Sequence, residues 1–153
     1  MYIDITENLR LRSLTTEDYE EAVVWYHDKQ ILWYSENRTE PYDLEDIKRM
    51  YTYLSNIGEV YVIEYRQREW VNIGDVTLSQ KCMPIIILPE YQSLGLGYKI
   101  INALIERAKI LKWEIIQLSG IYVYNDKSQN LFKKCGFNET HRDEKKVYLE
   151  RVL

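Results

Sequence analysis

Ile85-Ile86-Ile87-Leu88-Pro89-Glu90-Tyr91-Gln92-Ser93-Leu94-Gly95-Leu96-Gly97-Tyr98 runs from an apolar stretch through a proline turn to two closely spaced glycines. The four apolar residues, bounded by turn residues, have the length and branching of a buried strand. Beyond Gly97, the residues Ile101, Leu104, Ile105, Ala108 and Leu111 recur at helical spacing, which predicts an amphipathic helix from Tyr98 to Leu111. The pattern is strand, glycine turn, helix. Glycines allow backbone N–H groups to face outward without Cβ obstruction. The start of a helix adds unpaired N–H donors and the positive end of the dipole. Together they make an anion site suited to phosphate. The same turn also occurs between strand and helix with no ligand.

Around that stretch the chain alternates strand-like and helix-like segments. Leu9 to Ser13 alternates apolar and charged residues, as a half-buried strand does. Thr15 or Thr16 starts a helix with Tyr19, Ala22, Val23 and Tyr26 on its apolar face, ending near Asp28. Lys29 to Tyr42 is aromatic and irregular. Asp43 caps a second helix carrying Leu44, Ile47, Met50, Tyr51 and Leu54. Glu59 to Tyr65 and Trp70 to Leu78 read as a hairpin, and Met83 to Leu88 as the next strand, with Pro84 at its start or on an edge. Ile115 to Tyr124 reads as a strand, Asn125 to Cys135 as a short helix stopped by Gly136, and Phe137 to Leu153 as a closing hairpin. The order β-α-α-β-β-β-α-β-α-β-β predicts an α/β fold with helices on the faces of a mixed sheet. With no linker or repeat, residues 1–153 are expected to form a single domain.

Composition narrows the function. A chain that is 46% hydrophobic and 29% charged folds, and a net charge of −4 argues against broad nucleic-acid or membrane binding. Cys82 and Cys135 stand alone, without the spacing of a zinc site or a disulfide framework, so no metal is expected. Asp4 and Glu7 interrupt any leader-like apolar run, and no stretch approaches membrane-spanning length, which points to a cytoplasmic protein. The 14 tyrosines and 4 tryptophans are unusual, and aromatics of this kind fill cores or line pockets.

Two phosphate-binding patterns fail on residues. A dinucleotide fingerprint requires a third small residue where Ile100 stands and an acid ending the next strand. A P-loop requires Gly-Lys-Ser/Thr, whereas Gly97 is followed by Tyr98-Lys99-Ile100. The surviving pattern, Gln-x-x-Gly-x-Gly after a Pro-x-Tyr turn, resembles the pyrophosphate loop of the GNAT acetyltransferase superfamily. A second segment, Asn125-Asp126-Lys127-Ser128-Gln129-Asn130-Leu131-Phe132-Lys133-Lys134-Cys135-Gly136-Phe137, resembles that superfamily's Asn-x-x-Ala/Ser-x-x-Leu-Tyr/Phe-x-x-x-Gly-Phe stretch. Leu9 to Asp18 resembles its first strand and helix, so the likeness spans nearly the whole chain.

The resemblance implies a mostly antiparallel central sheet with helices on both faces and a splayed parallel strand pair, Ile85–Leu88 and Ile115–Tyr124, opening a cleft for acetyl-coenzyme A. Main-chain groups of Ile85, Ile86 and Ile87 would pair with pantetheine. N–H groups of Ser93, Leu94, Gly95, Leu96, Gly97 and Tyr98 would hold the pyrophosphate, with Gln92 adding a side-chain donor. Asn125, Ser128 and Phe132 would line the acetyl end. Many relatives place an acidic tyrosine where this chain has Phe132, so Ser128 and Tyr124 become the candidate proton donors; Ser128 also fits a helix N-cap. Asp75, Glu64 and Glu59 are candidate bases. The implied reaction is acetyl transfer to a primary amine of a small molecule or peptide by a monomer or homodimer. Glu36, Glu40 and Asp43 among aromatic residues favour a cationic acceptor. The absence of the usual acid also admits a coenzyme A-binding sensor or interaction module without efficient transfer.

Overall fold

The computed structural model describes residues 1–153. Its elements, in order, are β1 (Tyr2–Thr6), β2 (Leu9–Ser13), α1 (Tyr19–Trp25), α2 (Lys29–Glu36), α3 (Leu44–Ile57), β3 (Glu59–Arg66), β4 (Trp70–Leu78), β5 (Ile85–Ile87), α4 (Leu96–Ile110), β6 (Ile115–Gln117), β7 (Ile121–Tyr122), α5 (Asp126–Lys134), β8 (Asn138–Arg142) and β9 (Lys146–Val152). The strands form two sheets, one ordered β1-β2-β3-β4-β5, the other β6-β9-β7 with β8 also paired to β9. Every ladder is antiparallel.

Strand alternation explains why helices cover both faces of the first sheet. In β3, Val60 and Val62 turn toward α1, α2 and α3, while Tyr61 and Ile63 turn toward α4 and the second sheet. The strand is therefore buried on both sides, and its near-continuous apolar run follows from that. On α3, Ile47, Tyr51 and Leu54 form the buried stripe. On α4 the stripe is Leu96, Ile100, Ile101, Leu104, Ile105 and Ala108.

Four expectations change. β1 precedes the first expected strand; Ile3 and Ile5 alternate with Asp4 and pack on the core beside β2. Lys29–Glu36 is a helix, not an irregular segment: the Asp28 carboxylate caps it by accepting from Gln30 N and Ile31 N, and Asn37, at φ 52°, ends it. Its only buried residues are the adjacent pair Ile31 and Leu32, too short a stripe to stand out among exposed aromatics. The strand expected from Ile115 to Tyr124 divides at Gly120, where φ is 116°. Helix α4 starts at Leu96, which places Gly97 inside it.

No ladder joins β5 to β6 or β7. One backbone hydrogen bond, from Gln117 N to Gln80 O (2.9 Å), ties the two sheets at the β4–β5 turn. Beyond that tie they splay, and the gap between β5 and β7 is the cleft.

The wall of that cleft depends on Gly74. A Cβ there would overlap the Ile86 carbonyl oxygen of β5, and its φ of 155° already disfavours a side chain. Gly74→Ala should destabilise the protein by about 3 kcal/mol, at the upper end of the usual cost of overpacking. Urea denaturation measures this; a loss below about 1 kcal/mol, within the range of surface substitutions plus error, would contradict the close approach.

Candidate active site

The outer edge of β5 is free. Thr77 N donates to Pro84 O (3.0 Å) and Leu88 N to Ile73 O (2.8 Å), with Ile86 opposite Asp75. Antiparallel alternation then points the backbone groups of Pro84, Ile86 and Leu88 at β4, and those of Ile85 and Ile87 away from it, into the cleft. Ile86 is thus corrected as a main-chain contact. Its N–H and C=O belong to the ladder, and its side chain is buried against the helices.

The loop after β5 is built to present donors. Tyr91 N and Gln92 N close a 3-10 turn on Leu88 O and Pro89 O, and Gln92 Nε2 donates to Ile87 O at 2.8 Å. That bond engages one of the two Nε2 protons of Gln92 in bracing the turn, and the residue also lines the cleft. Ser93 (φ 65°) and Gly95 (φ 75°) then reverse the chain into α4. The N terminus of α4 has no capping side chain and no acid in its first turn, whereas α3 has both. An uncapped helix start with its dipole unopposed is an anion site. The two glycines have different causes. A Cβ at Gly95 would meet nothing within 4 Å, so conformation and open space matter there; a Cβ at Gly97 would come within 2.9 Å of Leu131 Cδ2, so close packing of α4 on α5 matters there.

These elements line a cleft of about 640 Å³, bordered by Gln30, Tyr34 and Ser35 of α2 and by Lys127, Ser128 and Leu131 of α5. A second cavity of about 340 Å³ lies between the helices and the second sheet. Tyr34, Ser35, Ile85, Ile86, Asn125 and Ser128 line both, so the two spaces meet at this seam.

At the seam the structure rearranges the expected roles. The N-cap of α5 is Asn125, not Ser128: Asn125 Oδ1 accepts from Ser128 N (3.2 Å) and its Nδ2 donates to Tyr34 O (3.2 Å). Both ends of that amide are therefore engaged within the protein. The Ser128 hydroxyl has no protein partner. Tyr124 is corrected as a proton donor, because its hydroxyl donates to Trp33 O (2.7 Å) beside Asn37 Oδ1 (3.0 Å) and its ring stacks on Trp33. Phe132 is buried against Phe137 and lines the smaller cavity.

That cavity holds two carboxylates. Asp75, 2% exposed, accepts on Oδ2 from Tyr26 (2.9 Å) and Tyr51 (2.6 Å), leaving Oδ1 without a protein donor. Burial pushes its carboxyl up to about 7 against the two tyrosine hydrogen bonds, which pull it down. Burial also raises Glu36. Lys146 is the cation of the same cavity, held over the Tyr122 ring at 5.0 Å. The other candidate bases lie elsewhere. Glu64 pairs with Arg10 and Arg12, and Glu59 with Arg107. Asp43 caps α3 and Glu40 is exposed, so of the three acids near the aromatics only Glu36 reaches the cavity. The expected role of Asp75 did not include its partners Tyr26 and Tyr51. Their signal was available, since a tyrosine on a helix's apolar stripe needs a buried acceptor for its hydroxyl.

Residues 8–138 match the family model described as an acetyltransferase (GNAT) domain. Among solved structures, the chain is similar to spermidine N-acetyltransferase from Vibrio cholerae in complex with CoA and spermine, at 25% identity over 96% of both chains and a TM-score of 0.76. It is also similar to a domain from Methanocaldococcus jannaschii, at 20% identity over 95% of this chain and 98% of that one, with a TM-score of 0.85. A third is RimL, a ribosomal α-N-protein acetyltransferase in complex with coenzyme A, at 13% identity over 100% of this chain and 98% of that one, with a TM-score of 0.78. A comparison with curated protein sequences returned no match. No helix is long and apolar enough to cross a membrane.

Two predictions follow from this geometry. Gly95→Asp would set a carboxylate and a strained φ at the anion site, the left-handed strain alone costing about 1–2 kcal/mol. Acetyl-coenzyme A affinity measured by calorimetry should fall at least about tenfold; unchanged affinity would place the phosphates elsewhere. For Asp75 the folded value of about 7 lies above the ordinary 3.8, so the folded state holds this proton more tightly than the unfolded chain. That contribution to stability is complete below the unfolded value and is lost as pH rises through 7. Asp75→Asn should therefore gain melting temperature relative to the parent between about pH 4 and about pH 7. A difference independent of pH would show that the carboxylate is not strained by burial.

Proposed function

The chain belongs to the GNAT acetyltransferases, and on that premise we propose that residues 1–153 act as one domain moving the acetyl group of acetyl-coenzyme A to a primary amine, with a cationic small molecule or peptide favoured as acceptor. The observation that carries this reading is the meeting of an anion-binding cleft and a carboxylate-lined cavity at one seam.

Acetyl-coenzyme A brings an acetyl group activated as a thioester, and its chemical parts fit the residues present. The free N–H and C=O groups of Ile85 and the N–H of Ile87 suit an amide-bearing pantetheine chain. The loop from Ser93 to Tyr98 suits a pyrophosphate, with Lys127 on the facing wall.

In the second cavity, Asp75 is the base. A carboxyl near 7 is half-ionised around neutrality, where it can take a proton from an incoming ammonium and return it to solvent. Tyr26 and Tyr51 hold one of its oxygens, so the other is the one that meets the amine. Glu36 and the ring of Tyr53, which line only the second cavity, suit a positive charge on the acceptor's remote part. Lys146 lies over the Tyr122 ring, so a cation already occupies that face of the cavity. Ser128 offers its hydroxyl to the sulfur. The Vibrio cholerae relative, a spermidine acetyltransferase solved with spermine, supports testing polyamines first.

Thiol release from acetyl-coenzyme A across a panel of polyamines, aminoglycosides, peptide N termini, neutral amines and anionic amines tests the reading. Turnover should be confined to cationic acceptors, and turnover on neutral or anionic ones alone would overturn it. Glu36→Gln should raise the KM of a cationic acceptor by about tenfold, the order expected for losing one hydrogen bond to a charged group, with kcat little changed. Cofactor binding with no acceptor-dependent thiol release would instead leave a coenzyme A-binding module.

A further inference from the structure

With Phe132 where the family's acidic tyrosine is expected and the Tyr124 proton committed to Trp33 O, the departing sulfur lacks an evident proton source. Three hydroxyl-bearing residues line both the cofactor cleft and the acceptor cavity: Tyr34, which is 46% exposed, Ser35 and Ser128. Ser35 Oγ donates back to Ile31 O inside α2. The Tyr34 and Ser128 hydroxyls have no protein partner. A phenol, with an ordinary pKa of about 10, lies close to a thiol at about 8.5, whereas an aliphatic alcohol is far too weak an acid to ionise there. The other tyrosines of the two spaces each line one space only, Tyr91 and Tyr124 the cleft and Tyr26, Tyr53 and Tyr122 the cavity.

Tyr34 is also held in place by Asn125 and Tyr124. Asn125 Nδ2 donates to the Tyr34 carbonyl at 3.2 Å, fixing the last turn of α2 at the seam. The Tyr34 ring lies against the Tyr124 ring, with centroids 5.9 Å apart and planes at 54°. Tyr124 is anchored in turn to α2 through Trp33. Asn125 and Tyr124 thus act as positioning residues for a phenol presented from the opposite side of the cleft from α5. Of the charged side chains nearby, Glu36, Asp75 and Lys146 line the cavity, and Asp126 and Lys127 line the cleft.

We propose that Tyr34, at the junction of the two cavities, donates the proton to the leaving thiolate. This rests on the acetyl-transfer reading. The acceptor nitrogen forms its bond to the acetyl carbon and loses a proton to Asp75; the carbon–sulfur bond breaks with its electron pair on sulfur. The Tyr34 O–H then protonates the sulfur, and the phenolate recovers a proton from solvent, to which Asp75 releases its own. Ser128 orients the sulfur without supplying the proton.

Tyr34→Phe keeps the ring and removes only the hydroxyl. Its kcat should fall on the order of a hundredfold with KM little changed, as for loss of a general acid, while Ser128→Ala should cost less than about tenfold. A binding measurement separates this from a packing role. By calorimetry at about pH 9, where a thiol is largely ionised, Tyr34→Phe should bind coenzyme A about tenfold more weakly, the effect of losing a hydrogen bond to a charged sulfur, yet bind desulfo-coenzyme A as the parent does. Equal weakening toward both ligands, or no change in kcat and affinity, would overturn the proposal. Transfer by the parent with an undiminished Tyr34→Phe variant would overturn it alone; absence of transfer by the parent to any amine would overturn the acetyl-transfer reading as well.

Discussion

Backbone N–H and C=O groups buried in a protein require partners, and those on the outer edge of β5 find almost none within the chain. β4 satisfies one side of the strand, and on the other side the second sheet has swung away. Only Ile87 O is taken, by Gln92. Covering this edge with another strand would close the cleft. Left bare, the edge presents its free N–H and C=O groups to water or to a polar, extended ligand such as the pantetheine arm proposed above. The single tie between Gln117 and Gln80 sets the end from which the sheets diverge. The cleft, its loop and its seam all depend on that divergence.

Tyrosine hydroxyls do much of the polar work around the cleft. Tyr26, just past the end of α1, and Tyr51 of α3 converge on one oxygen of Asp75, so the carboxylate ties both helices to β4. Such hydrogen bonds only partly offset the burial of a charge. The residual strain is a cost to stability above neutrality and the reason the group titrates where a base is useful. A second set, Trp33, Tyr124 and Tyr122, stacks in a column between α2 and the second sheet and fixes α2 across the cleft. The chain thus uses aromatic contact area where other clefts use apolar residues, and the attached hydroxyls set positions that apolar side chains would leave loose.

The local features were legible in the sequence because short-range physics decides them. Branched residues before Pro89 make a strand, Gly95 permits a left-handed turn, and the spacing from Ile101 to Ala108 makes a helix; each follows from neighbours a few residues apart. The anion site is such a feature, since a helix start needs only its own backbone to present donors. Together with the stretch from Asn125 to Phe137, it was enough to indicate the family.

What the side chains do was settled by partners distant in sequence. Asp75 takes its character from burial, which its bonds to Tyr26 and Tyr51 only partly offset, and no local spacing distinguishes it from Glu59 or Glu64, whose nearness to Arg107 and to Arg10 and Arg12 removes them from the cavity. Gln92 turns inward because Ile87 O is within reach of its amide, and Asn125 caps α5 and holds Tyr34, ninety-one residues away. The sequence determined where a phosphate could sit, because that is a property of backbone conformation. Which acids and hydroxyls face the reacting atoms was decided by tertiary packing, because desolvation and hydrogen-bond partners exist only once α1, α2 and α3 close over the sheet.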